Sequence, residues 1–261
     1  MMAVENSLIA WDDTSVRASR LGTVLDHGDE TDIERMVELV APTANDVALD
    51  MVTGLGHVAR ALALSVKRVD ALDPDSQILS EAVSLTREEL KEKIEFIEGD
   101  PLETPFKDNT YDIVTARMAL RHLGDGKDFV REAHRVLKPG GRLILIDSLA
   151  PPHHDLQGFL RNLLSHNDRS HVKSYTLEEV ETLLEREKFD IDLIEIYPKE
   201  NDFKTWASKL GERADNTKMI EKVLHGASTH AKRHFRIIEK NKKVVSFITW
   251  MILIRAKPSV L

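Results

Sequence analysis

Asp50-Met-Val-Thr-Gly-Leu-Gly-His57 is the stretch that decides how this chain folds. An apolar run, Val47-Ala48-Leu49, precedes it, and a helix-like run, Val58-Ala59-Arg60-Ala61-Leu62-Ala63, follows it. A strand, a tight glycine turn and a helix start gather bare backbone amides at one point. Glycine lets the chain turn there and lets a ligand approach the backbone closely. Asp50 adds a carboxylate at the end of a strand that otherwise holds apolar residues. A buried carboxylate is costly unless paired, so an amino-bearing ligand or the turn amides are its expected partners. The segment alone leaves alternatives open. Gly54-Leu-Gly56-His-Val-Ala59 also fits G-x-G-x-x-G/A, the nicotinamide-dinucleotide pattern. An ordinary strand-to-helix turn would read the same way.

The flanking sequence supplies the context. Ile33, Met36, Val37, Leu39 and Val40 recur at helical spacing before Pro42. Strands are predicted at Val47–Met51, Arg68–Leu72, Ile94–Glu98, Tyr111–Ala116 and Arg142–Ile146. Helices are predicted between them: from Gly56 to about Leu64, over about Ser76–Glu92 and over about Gly126–Leu137. Short apolar strands alternating with amphipathic helices mean a doubly wound, mostly parallel α/β sheet with helices on both faces. Later residues read as helices over 155–188 around a His-rich loop and a strand at Phe189–Tyr197. A mainly helical stretch over 203–240 and a final strand at Val244–Arg255 follow. The last two strands should close the sheet as an antiparallel pair.

We read the whole chain, 1–261, as a single domain. Residues 1–40 form an N-terminal cap, 41–150 a ligand-binding core, 151–188 a helical lid, and 189–261 the C-terminal strands and helices. Hydrophobic residues make up 42% of the chain, enough for a sizeable core. There is no cysteine, which excludes disulfides, thiolate metal sites and cysteine nucleophiles. The segment Met1–Asp13 has acids and no basic side chain, unlike a secretory signal, and the longest apolar run, Phe247–Ile254, is too short to span a bilayer. A cytoplasmic protein with no membrane span is expected. Net charge is −8, which argues against a nucleic-acid partner, yet residues 203–243 hold eleven Lys/Arg against four Asp/Glu, a local balance of +7. A homodimer is left open.

In doubly wound sheets ligands sit at the carboxyl ends of the strands, beside strand one. Asp50, Asp73, Asp100, Arg117 and Asp147 all fall at such ends. Asp73 can accept both hydroxyls of a ribose, although it could instead cap the helix starting near Ser76. Asp100, in Gly-Asp-Pro-Leu, can accept an exocyclic amine while Pro101 and Leu102 cover a ring face, or it can simply make a turn. Together the three acids describe an adenosine with a positively charged amino-acid end.

This series of motifs resembles the class I S-adenosylmethionine-dependent methyltransferases. The resemblance rests on Asp50…Gly54-x-Gly56, Asp73, Gly99-Asp100-Pro101, Tyr111-Asp112-Ile-Val and Leu137-Lys-Pro-Gly-Gly-Arg-Leu, over about residues 25–150. His27-x-x-x-x-Asp32, Thr53-Gly-Leu-Gly-His-Val-Ala59 and Asp168-Arg-Ser-His-Val172 are similar to a bacterial subgroup near the ubiquinone/menaquinone C-methyltransferases. The resemblance implies a Rossmann-like, seven-stranded sheet and S-adenosylmethionine as cofactor. Asp50, Thr53, Gly54 and Gly56 would hold its methionine part, with Arg117 nearby, Asp73 and Pro74 its ribose, and Asp100 with Pro101 its adenine. Val52, Ala48 and Leu55 depart from the residues usual there, and a tryptophan usual near Glu178-Glu179-Val180 is absent.

The expected reaction is methyl transfer to a small organic acceptor, at carbon or oxygen. Candidate proton acceptors are His122 and His171, with His166 also considered. Candidate acceptor-binding residues are His27, Arg121, Phe159 and Tyr175, with an apolar lining from the 155–164 helix. No metal set is assigned: Asp147 alone lacks ligand partners at a suitable spacing. A nicotinamide-dependent oxidoreductase is the competing enzyme, disfavoured by Asp50, Asp100 and the Pro-Gly-Gly entry to strand five. A non-catalytic or non-methylating S-adenosylmethionine-binding protein is the other alternative.

Overall fold

The computed structural model describes residues 29–167, 170–208 and 214–259. Helix α1 covers Asp29–Val40, followed by β1 (Val47–Met51), α2 (His57–Ala63), β2 (Arg68–Asp73), α3 (Ser76–Ser84), α4 (Glu88–Lys91), β3 (Ile94–Glu98) and β4 (Tyr111–Arg117). A 3-10 turn at Leu120–His122 leads to α5 (Lys127–Val136) and β5 (Leu137–Ser148). The remainder is α6 (His154–Asn167), α7 (Leu177–Arg186), β6 (Phe189–Asp202), α8 (Phe203–Ser208), α9 (Ala214–His225), α10 (Thr229–His234), β7 (Ile238–Lys240) and β8 (Lys243–Pro258).

The sheet order is β3-β2-β1-β4-β5-β8-β6, with the three-residue β7 paired to β8 beyond the seven expected strands. Strands β1 to β5 are parallel to their neighbours. β8 runs antiparallel to both β5 and β6. The order reverses at β1/β4, the switch point where a ligand cleft opens. Leu49 and Met51 face one core with Phe129 and Tyr111, while Ala48 faces the other with Met36, Val58 and Leu62. β1 is therefore buried on both faces, as its unbroken apolar run requires.

Four sequence expectations are corrected. The helix expected over Ser76–Glu92 is two helices. Buried Thr86 returns its hydroxyl to the Ala82 carbonyl at 2.7 Å and its amide to the Val83 carbonyl at 3.1 Å, which ends α3. β5 starts at Leu137, opposite Tyr111, and bulges through Lys138-Pro-Gly-Gly before regular pairing resumes at Arg142. β6 runs to Asp202, past its predicted end at Tyr197, while β8 starts at Lys243, one residue before its predicted start. The segment between them carries α8–α10 as an added layer, and this stretch expected to be mainly helical also contains β7.

Candidate cofactor and acceptor site

Register builds the site. Asp50 pairs with Thr115 across β1 and β4. Side chains alternate along a strand, so Asp50, Thr115 and Arg117 share one face. Asp73 shares it too, in line with Val69 and Ala71 of the same core. Asp50 is 1% exposed. One oxygen accepts from the Thr53 hydroxyl at 2.6 Å and the other from the Thr115 hydroxyl at 2.8 Å. Burial pushes its pKa up to about 6, against the pull of those two hydroxyls and the Arg117 charge. Arg117 reaches back to buried Asp32 on α1, Nε to Oδ1 at 3.1 Å and Nη2 to Oδ2 at 3.2 Å.

The loop after β1 turns through left-handed backbone at Val52 (φ 58°), Gly54 (φ 55°) and Gly56 (φ 77°). A β-branched residue there is strained by about 1–3 kcal/mol. The Thr53 amide, bonded to the Leu72 carbonyl at 2.9 Å, and the Gly54 amide, bonded to Asp73 Oδ2 at 2.8 Å, hold the turn against that strain. Arg60 closes the loop by donating to the Leu55 carbonyl at 2.6 Å. The two glycines serve different ends. A Cβ on Gly56 would lie 3.0 Å from the Phe96 ring and 3.1 Å from Arg60, whereas one on Gly54 would enter open space.

That space is part of a cavity of about 530 Å³ bordered by Asp50, Thr53, Gly54, His57, Asp73, Pro74, Arg117, Met118, His122 and Ser170. A second hollow, about 680 Å³, is bordered by Glu98, Gly99, Asp100 and Leu102. The two share Pro74, Pro101 and Leu123 and so form one trough along the strand ends. Asp75, not Asp73, caps α3, accepting from the Gln77 and Ile78 amides. Asp73 takes the Gly54 amide on Oδ2 and the Asp75 amide on Oδ1 at 3.0 Å, and borders the trough. Asp100 accepts from the Leu102 amide at 2.8 Å and fixes its turn against the second hollow. A buried carboxylate for an amino group, an open glycine surface and a carboxylate for a ribose in one trough fit an adenosine bearing a charged amino-acid tail.

The acceptor-side expectations divide. His122 borders the trough. Its Nε2 accepts from Arg121 Nε at 3.3 Å, which assigns the ring proton to Nδ1, 3.2 Å from the Ser170 carbonyl. The Arg121 backbone serves the loop at residues 170–174: its amide donates to Asp147, and its carbonyl accepts from the Val172 and Lys173 amides. Asp147, its pKa raised by burial, also takes the Ser148 amide at 2.7 Å and so ties β5 to that loop. Among the described residues no cluster of metal-ligating side chains occurs. His171 is buried with Nε2 3.0 Å from Ser174 and does not border the trough.

Tyr175 does not border the trough. It lies in the core, its hydroxyl 2.9 Å from the Gly126 amide. Phe159 is displaced as well. It packs 5.1 Å from Phe235, and the apolar side of α6 faces the C-terminal helices rather than the trough. The added layer claims that surface, which sequence periodicity could not foresee. His166 is bonded to the Asn162 carbonyl of its own helix. His27 lies outside the described residues. Thr115, His57, Met118 and Ser170 were missed. Of these, Thr115 was within reach, because it stands two residues before Arg117 on a strand adjoining Asp50.

A doubly wound sheet with this trough at its switch point defines a nucleoside-tailed cofactor site of the methyltransferase type. Residues 49–145 match the family described as methyltransferase domain. A Bacillus subtilis strain 168 protein, the uncharacterized methyltransferase YcgJ, is 31% identical over 225 residues, covering 86% of this chain and 89% of its own. The demethylmenaquinone methyltransferase of Thermotoga maritima is 35% identical over 118 residues, 45% of this chain and 50% of its own. A candidate methyltransferase of Bacillus halodurans C-125 superposes with a TM-score of 0.83 at 29% identity, over 88% of this chain and 99% of its own.

The chain belongs to the class I S-adenosylmethionine-dependent methyltransferases. S-adenosylmethionine is its cofactor and a small molecule its methyl acceptor, and the nicotinamide reading of the glycine turn is set aside. The cofactor supplies a methyl group already activated as a sulfonium. Transfer then needs an aligned acceptor, and alignment alone supplies on the order of 7–11 kcal/mol. No helix among the described residues is long and apolar enough to cross a membrane.

Proposed function

We propose that this chain methylates, at carbon or oxygen, a small organic acceptor carrying an ionisable hydroxyl or an enolate-like carbon, in the cytoplasm. A hydroxylated quinol ring is the model acceptor. The observation that carries the reading is His122 bordering the same cavity as Asp50, Gly54 and Asp73. An imidazole at that point can take the proton of an acceptor hydroxyl as the methyl group moves, at Nε2 once that hydroxyl displaces the Arg121 Nε–H from it. In this reading Asp50, Thr53, Gly54, Gly56, Asp73, Pro74, Asp100, Pro101 and Arg117 hold the cofactor, and the loop at Ser170, which borders the cavity, covers the acceptor. The partial likeness to the Thermotoga maritima demethylmenaquinone methyltransferase supports the quinol as the first acceptor to try.

The test is turnover of hydroxylated naphthoquinols and phenols with labelled S-adenosylmethionine. His122→Ala should lower turnover about 10²–10⁴-fold while S-adenosylhomocysteine affinity holds. Methylation at the wild-type rate by His122→Ala would remove the base from this reading, and methylation of none of these rings would remove the acceptor class.

A further inference from the structure

We propose that the hairpin of β7 and the start of β8 docks on an anionic lipid bilayer. Its turn, Asn241-Lys242, is left-handed at both residues (φ 51° and 62°), the mirror-image geometry that suits a two-residue hairpin. Arg236, Lys240, Lys242 and Lys243 are exposed, and none pairs with a carboxylate among the described residues. The one acid of the hairpin, Glu239, is taken by Lys232 at 2.8 Å and His225 at 3.3 Å. Lys240 is the cross-strand partner of Lys243. Like charges directly opposite destabilise a strand pair. Lys242 and Arg236 (φ 43°) also occupy left-handed positions that long side chains disfavour. External anions relieve that repulsion.

Ile238, 49% exposed, stands among these cations. An exposed apolar side chain two residues from both Arg236 and Lys240 suits the interface of an anionic bilayer, where cations meet headgroups and the apolar group enters the acyl boundary. Nucleic acid fits less well. Residues 236–243 hold no aromatic ring to stack a base, and the chain as a whole carries −8, which repels a long polyanion beyond the hairpin. A bilayer meets only the tip.

The location links docking to the reaction edge. Ser148, the end of β5, pairs with Met251. Residues 243–250 of β8 therefore run on past the carboxyl ends of the parallel strands, the edge where the trough opens. Docking would hold that edge toward the membrane and toward amphiphilic acceptors dissolved in it.

The full chain should float with phosphatidylcholine vesicles containing phosphatidylglycerol, not with phosphatidylcholine alone, and added salt should weaken the binding. The triple variant Lys240→Gln, Lys242→Gln, Lys243→Gln should partition about a hundredfold more weakly, at roughly fivefold per lysine. Should that variant fail to fold, the salt titration of the wild type and the loss of binding in Ile238→Ser decide the matter. Four results overturn the proposal: no vesicle binding, as for lysines that only guard a strand edge; equal binding to neutral vesicles; undiminished binding by a folded triple variant; or preference for single-stranded RNA over anionic vesicles.

Discussion

Arg117 and Asp32 form a forked ion pair that ties the end of β4 to α1 beneath the trough, with Asp32 almost wholly buried. The same guanidinium borders the cavity and lowers the pKa of Asp50. One pair therefore anchors α1 and holds a cation at the edge of the site. Asp32→Asn should cost about 2 kcal/mol in denaturant unfolding, less than the 3–5 kcal/mol of a fully buried pair because Arg117 keeps some solvent. It should also weaken S-adenosylhomocysteine binding. In the double variant with Arg117→Met the two losses should fall short of additivity. Additive losses would show that the pair is not a working unit.

Asp50 should make cofactor affinity depend on pH. Its carboxylate has to be charged to accept an ammonium group, and burial holds its pKa near 6. Affinity for S-adenosylhomocysteine, measured by calorimetry, should fall as pH drops below about 6. Without ligand the sign reverses. A folded pKa above the ordinary 3.8 favours the protonated folded protein, so this stabilisation is full below 3.8 and is lost as pH rises through about 6. Asp50→Asn should then melt at a higher temperature than wild type at neutral pH while binding the cofactor weakly. A lower melting temperature would contradict the burial argument.

Gly54 and Gly56 should separate ligand space from packing. Gly54→Ala puts a methyl group into open cavity at φ 55°, so it should cost about 1 kcal/mol of stability and much of the cofactor affinity. Gly56→Ala forces Phe96 and Arg60 to shift, so it should cost more stability, on the order of 2–3 kcal/mol. Equal effects from both would mean that the cavity over Gly54 is not where the ligand lies.

The sequence carried the cofactor side further than the acceptor side, for physical reasons. Asp50, the glycines, Asp73 and Asp100 sit within a few residues of strand ends, and strand order then places them together. Their positions follow from local pattern plus topology. Phe159 and Tyr175 depend on which surface of a helix or loop the rest of the chain covers. α6 looked free to line a pocket, but α9 and α10, carried between β6 and β8, pack against it. Tyr175 read as a polar group over the site, and its hydroxyl is instead taken by Gly126. Arg117 was assigned to the cofactor without its partner, because Asp32 lies 85 residues earlier in the chain.

Tyr175 offers the clearest separation of structure from catalysis. Its hydroxyl, 7% exposed with the ring, accepts from the Gly126 amide at 2.9 Å and lies 3.4 Å from the Leu123 carbonyl. The Gly126 amide belongs to the first turn leading into α5, so its partner fixes where that helix starts. Its phenol pKa is raised by burial, which keeps it protonated and ill suited to act as a base at neutral pH. Tyr175→Phe leaves that buried amide without its acceptor, a loss of about 1–3 kcal/mol that should appear in thermal or denaturant unfolding. Cofactor affinity should hold, and so should turnover below the melting range once an acceptor is in hand. His122→Ala should show the opposite pattern, with stability kept and turnover reduced. If Tyr175→Phe lowered turnover while unfolding at the wild-type midpoint, the hydroxyl would be acting on the acceptor, and the loop would have to open over it during the reaction.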